Sequence, residues 1–227
     1  MPTSEVSVLH SNANDIINSI NQWHNNNTHH MAVALGKAIE AYFEKLNLDV
    51  NKSWFVKPMP LPTELGLVSK LMESEFNELN QEFLRLQEGR LITDSAKRVR
   101  SEIVDALYYL VKLKSLEEIN IADYLPRALL DSKYWNVLHN ETREQLITRL
   151  ISTADYITFV ESCAEDKHNP SQISPYHQSA TIAPYVANSI LIIFRLAEIE
   201  KIDLEMAWNE KMEENAKRDI FMRDKPA

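Results

Sequence analysis

An all-helical fold follows from three observations on the sequence. Only three glycines occur in 227 residues (Gly36, Gly66 and Gly89). No run of alternating β-branched residues marks a half-buried strand, and the apolar residues instead recur at three- and four-residue steps over long segments. The length suits one domain, or two small ones, with enough residues for a sizeable core.

The elements follow in order. A first helix is expected from Asp15 to Trp23, ending in the polar run Asn25 to Thr28, and a second from about His30 to Leu46. Residues 51–63 hold Pro58, Pro60 and Pro62, each without a backbone donor, and read as an extended connector. Leu65, Val68, Met72, Leu79, Phe83 and Leu86 then form one stripe of a long amphipathic helix. Thr63 is placed to cap it and Gly89 to end it. From Ser95 to Glu118 the chain is apolar on nearly every side, as in a helix surrounded by neighbours, with Asp94 or Ser95 as its cap. A short helix or turn around Pro126 comes next, then a helix over about Glu141–Glu165. A surface loop is expected from Asp166 to Pro184, rich in Asn, Ser, Gln and Pro. Two last helices span roughly Tyr185–Glu200 and Leu204–Lys217, with Asp203 capping the second.

Two pairs of acids stand out against this pattern. Glu75 and Glu78 lie three apart on the long amphipathic helix, with Glu75 on the centre line of its apolar stripe and Glu78 and Glu82 beside it. Glu102 and Asp105 are the only acids in the middle of the central helix and share a strip with Tyr109. A carboxylate on a core-facing strip is costly unless it is paired or binds a cation. Two packed helices carrying such pairs bring four carboxylates together, and an all-oxygen ligand set of that kind suits Mg²⁺ or Mn²⁺.

Comparison of the chain with itself shows a repeat. Residues 102–125 align without a gap on 185–208, apolar on apolar, and 67–71 align more weakly on 146–150. The expected organisation is one all-α domain containing a duplicated unit, with 51–125 bearing the acids and 140–220 a degenerate second half. The acids do not recur, since Glu102 and Asp105 face Tyr185 and Asn188. Conversely Lys211, Asn215 and Arg218, at four- and three-residue steps on the last helix, face Ala128, Ser132 and Trp135. An anionic cluster in one half and a cationic strip in the other together suit a metal ion and a polyphosphate.

Composition narrows the functions. A net charge of −9 disfavours a nucleic-acid polymer as partner. No long uninterrupted apolar segment is evident for crossing a membrane, and the amino terminus lacks signal-peptide character. Cys163 is the single cysteine, so a reducing, cytoplasmic setting is expected and the thiol reads as inert. His29 and His30 have no third ligand at sensible spacing and read as loop. His168 and His177 fall in the 166–184 loop. Trp23, Trp54, Phe55 and the amides near Gln22 are candidates for stacking on a base, and packing roles suit the two tryptophans equally.

Glu75-x-x-Glu78 followed by Glu102-x-x-Asp105 resembles the signature of the all-α nucleoside triphosphate pyrophosphohydrolases, the superfamily of MazG-like proteins and dimeric dUTPases. Ile103-Val-Asp-Ala-Leu-Tyr-Tyr-Leu110 looks like its second motif, and the stretch Asp203–Arg218 is similar to the MazG carboxy-terminal helix. The likeness covers Leu65–Asn120 and Ala187–Arg218. Ser74 stands where members carry a further acid, and the Asn-, Gly- and Tyr-rich tail of dimeric dUTPases is missing. The resemblance implies a MazG-like helical bundle that binds Mg²⁺, with Mn²⁺ as a substitute, through Glu75, Glu78, Glu102 and Asp105. It further implies phosphate contacts from Lys211, Asn215 and Arg218, a nucleoside triphosphate substrate cleaved to monophosphate and pyrophosphate, and a homodimer. A dUTPase- or dCTPase-type enzyme and a non-catalytic nucleotide- or protein-binding module are the alternatives. A third is an assembly module in which the acids pair with Lys97, Arg98 and Arg100 of another chain.

Overall fold

The computed structural model describes residues 12–26, 29–54, 59–88, 95–130, 140–165 and 175–223. They form helices α1 (Ala13–Asn26), α2 (His29–Ser53), α3 (Leu61–Gln87), α4 (Ser95–Leu116), α5 (Ile121–Leu130), α6 (Arg143–Glu165), α7 (Pro175–Ile199) and α8 (Leu204–Arg223), and no strand occurs among the described residues. The fold is an all-α bundle with one continuous core running through all of its helices.

Local capping explains several helix starts. Asn12 accepts the Asp15 amide at 2.9 Å and begins α1. Thr142 and Gln145 exchange bonds at the head of α6, with the Thr142 amide on Gln145 Oε1 at 2.8 Å and the Gln145 amide on Thr142 Oγ1 at 3.4 Å. That reciprocal arrangement satisfies two donors that no helical carbonyl can reach. Asp203 Oδ1 accepts the Met206 amide at 3.0 Å, as expected of the cap of α8. Thr63 does not cap α3. The helix starts earlier, after Pro60, with Pro62 in its first turn and no side-chain cap. Proline lacks the donor that a first-turn residue would leave unpaired, so it opens a helix as readily as it ends one. Likewise α7 begins at Pro175 and contains Pro184, so 175–184 of the expected loop are helical, and 166–174 lie outside the described residues. His29 and His30 likewise open α2 instead of lying in a loop. Gly89, Asp94, Phe55 and His168 lie outside the described residues.

The core assigns each helix its place. α4 is the central one, with Val99, Ile103, Val104, Leu107, Leu110, Val111 and Leu113 all buried, and it packs on α2, α3, α7 and α8. On α3 the buried stripe runs through Met72, Phe76, Leu79 and Phe83. Glu75 therefore sits at the edge of the stripe, half-buried, and Phe76 occupies the centre line expected of it. Two ion pairs, Glu64–Lys112 at 3.1 Å and Glu82–Arg98 at 3.8 Å, set the register between α3 and α4. The partner's number falls as the α3 number rises, so the two helices run antiparallel. Glu82, the one buried acid of α3, is answered by Arg85 and Arg98. On α7, the window Ala180–Ile199 has a mean hydropathy of 1.5, long and apolar enough to cross a membrane, contrary to expectation. It is 67% buried within the bundle, as suits the core helix of a packed domain.

The turns after α4 and α7 are superimposable in their bonding. Glu118 and Lys201, 83 positions apart, both adopt left-handed φ, 51° and 54°. In the first turn the Ile119 amide reaches Lys114 O at 3.0 Å, and in the second the Ile202 amide reaches Ala197 O at 2.8 Å, the closure that ends a helix on a left-handed residue. The packing partners repeat as well: α3 on α4 as α6 on α7, and α5 on α7 as α8 on α4.

Neither left-handed residue is glycine, and the crowded Cβ costs about 1 kcal/mol or more. Glu118→Gly and Lys201→Gly should each raise the unfolding free energy by about 0.5–1 kcal/mol. Urea denaturation measures this, and a loss of stability in both would contradict the strain.

Candidate metal centre

The antiparallel pairing of α3 and α4 decides where the acids meet. Glu75 and Glu78 project from the edge of the α3 stripe toward the strip of α4 that carries Glu102, Asp105 and Tyr109. One carboxylate oxygen each of Glu75, Glu78 and Glu102 lies within 4.8 Å of the other two. Ligand oxygens around a small hard cation, bound at about 2.1 Å, stand at most about 4.2 Å apart. The three lie close to that range, and their donor chemistry suits Mg²⁺ or Mn²⁺.

Four acids were expected to converge, and the structure gathers three. Asp105 stands beside them on an ion pair, with Lys211 Nζ at 2.5 Å from its Oδ2 and the Ser101 hydroxyl at 3.5 Å. Lys211 itself is 11% exposed. It comes from α8, which is anchored by the Trp208 indole donating to Asp49 at 3.3 Å and by Lys45–Glu205 at 2.6 Å, both on α2. A lysine so held answers the nearest carboxylate. The Asp105 charge still weighs on its neighbours.

Burial, then the charges of Asp105, Glu78 and Glu102, push the Glu75 carboxyl up from 4.5 to about 8. Burial, then Asp105 and Glu78, push Glu102 up to about 7. Confined like charges disfavour ionisation, and an added cation reverses that preference. The Tyr109 hydroxyl, half-buried and facing Glu75 and Asp105, is raised by burial and by those charges, so it stays a donor. Ser74 donates to Glu78 at 3.4 Å. Asn215 is half-buried one turn beyond Lys211, and the Arg218 side chain lies outside the described residues.

The base-stacking candidates divide. Trp54 stacks on Tyr108, with ring centres 6.5 Å apart, and Tyr108 on Trp208 at 6.2 Å. Lys112 lies 4.7 Å above the Trp54 ring. Trp54 is thus packing material for the α2–α4–α8 junction. The Trp23 side chain is outside the described residues, and Gln22 is exposed. Ser101, which flanks the acids on α4, carries no role in the sequence reading, and Arg100 enters it only as an interchain ion-pair partner; their adjacency to Glu102 is the signal that points to the site. Arg98 and Arg100 pair within the chain, with Glu82 and with Glu210, at 3.8 Å and 2.8 Å.

Comparison with known proteins returns no match: no family model fits the sequence, no curated protein matches it, and no solved structure matches its fold. The likeness to the pyrophosphohydrolases rests on the motif residues alone.

The raised carboxyls have a consequence for stability. Between about 4.5 and about 8 the folded chain retains protons that the unfolded chain has released, so stability falls as pH rises through that window. Thermal melts of the metal-free protein should show Tm decreasing from pH 5 to pH 8. Glu75→Gln should flatten the slope and melt several degrees higher at pH 8. Magnesium should raise Tm at pH 8 in the parent chain and much less in Glu75→Gln. A Tm that climbs with pH in this window would contradict the assignment of confined charge.

Proposed function

We propose that this protein is a divalent-metal-dependent nucleoside triphosphate pyrophosphohydrolase, converting a (d)NTP to its monophosphate and pyrophosphate. The observation that carries the reading is the meeting of Glu75, Glu78 and Glu102 within 4.8 Å on two antiparallel helices, with Lys211 at their border. The motif likeness supports it, and so does the electrostatics, because three confined carboxylates are most stable around a cation.

In this reading Glu75, Glu78 and Glu102 would hold Mg²⁺, and Asp105 would be free to join them once Lys211 turns to a phosphate. The bound ion would neutralise phosphate oxygens and lower the pKa of a water. Glu75, or Glu78 oriented by Ser74, accepts the proton of the water that attacks the α-phosphorus. Lys211, with Asn215 one turn on, offers donors to the phosphate chain, and the Tyr109 hydroxyl stays protonated beside Glu75 and Asp105. Members of the superfamily it resembles pair into dimers, and a homodimer belongs to the same proposal.

The test is a screen of common and modified NTPs and dNTPs with Mg²⁺ or Mn²⁺, detecting pyrophosphate directly to separate α–β cleavage from phosphate release. Asp105→Asn should lose most activity, a hundredfold or more, while keeping its helical circular dichroism. Undiminished pyrophosphate release by Asp105→Asn, or no turnover of any nucleotide by the parent chain, would end the proposal.

A further inference from the structure

A cavity of about 310 Å³ opens between the amino-terminal half of α4 and the face of α8, lined in part by Lys97, Arg98, Arg100, Ser101, Glu102 and Lys211. It is continuous with the carboxylate cluster, because Glu102 is in its wall and Lys211 forms its border with Asp105. Four cationic side chains line it against three acids, Glu102, Glu210 and Glu214. Positive charge is in excess.

Arg100 supplies the more specific observation. Its Nε and Nη2 are buried and have no hydrogen-bond acceptor among the described residues. Nη2 lies 2.8 Å from Glu210 Oε2, a charge contact without hydrogen-bond alignment. Leaving buried guanidinium donors without an acceptor is unfavourable. A planar fork of this kind is matched by a phosphate, which can accept from two of its nitrogens at once. The residues Ser95–Arg98 form the first turn of α4, a 22-residue helix, so its positive end adds to the same field.

We infer that this cavity is the seat of the terminal diphosphate of the substrate, with Arg100 as its bidentate anchor and Lys97 and Arg98 as its outer cations. None of the three belongs to the motifs on which the family likeness rests. The inference takes from the proposed function only the identity of the nucleotide; capture of a diphosphate stands on the cavity and its donors. The seat would favour triphosphates over monophosphates, and would hold the pyrophosphate product until it leaves.

Calorimetric titration of this chain with inorganic pyrophosphate tests this, with and without Mg²⁺. The variants are Arg100→Gln, the exposed double variant Lys97→Ala/Arg98→Ala, and Lys201→Gly as a control for loss of one charge. The dissociation constant should rise tenfold or more in the first two and stay within twofold in the control, and orthophosphate and sulfate should bind far more weakly than pyrophosphate. No pyrophosphate uptake, equal uptake by all variants, or equal affinity for sulfate would overturn the seat and leave a water-filled basic groove. Hydrolysis of dNTPs with unchanged pyrophosphate binding would retain the enzyme and remove the seat. Pyrophosphate binding lost in the variants without hydrolysis by the parent chain would retain the seat and remove the enzyme.

Discussion

The confinement of like charge between α3 and α4 is the constraint on which the rest of this molecule turns. Apolar packing along Met72, Phe76, Leu79 and Phe83 on one helix, and along Val99, Ile103 and Leu107 on the other, holds the two together. Ion pairs fix their register on either side of the acids, Glu64 with Lys112 and Glu82 with Arg98. Between those pins, Glu75, Glu78 and Glu102 meet with Lys211 offsetting only part of their charge, and Glu75 and Glu102 are driven toward their protonated forms. The same fold pairs Glu82 with Arg85 and Arg98, so the raised carboxyls are not a general property of acids on these helices. Core packing supplies the stability that this cluster opposes.

The second constraint is α8. It belongs to the far end of the sequence, yet it lies across α2 and α4 and delivers Lys211 to Asp105, 106 positions away. Trp208, buried and bonded to Asp49, locates the helix. The turn before it repeats the turn before α5 bond for bond, at a constant offset of 83 residues, around Glu118 and Lys201. The helix that follows the second of these turns thus brings Lys211 to the acids of α4.

Much of this was legible from residue order. Helical content followed from apolar spacing, the central position of α4 from its apolar residues on every side, and the Asp203 cap from its place between two periodic segments. The differences at the starts of α3 and α7 have one physical origin, since proline reads as an interruption. Pro62 and Pro175 instead sit in first turns, where a missing donor costs nothing, and Pro184 is carried inside α7 by the surrounding core. Glu75 was assigned to the stripe's centre because Phe76 was left out of the apolar pattern, a difference of one residue, or 100° around the helix.

Residue order alone establishes the set of helices, their apolar faces and the presence of two acid pairs at helical spacing, because these depend on contacts between residues three or four apart. Which acids share a cluster depended on the antiparallel register of α3 on α4, and that Lys211 rather than a fourth carboxylate neighbour engages Asp105 depended on the seating of α8. Those are contacts between side chains distant in the chain, set by how whole helices pack, and no local spacing encodes them.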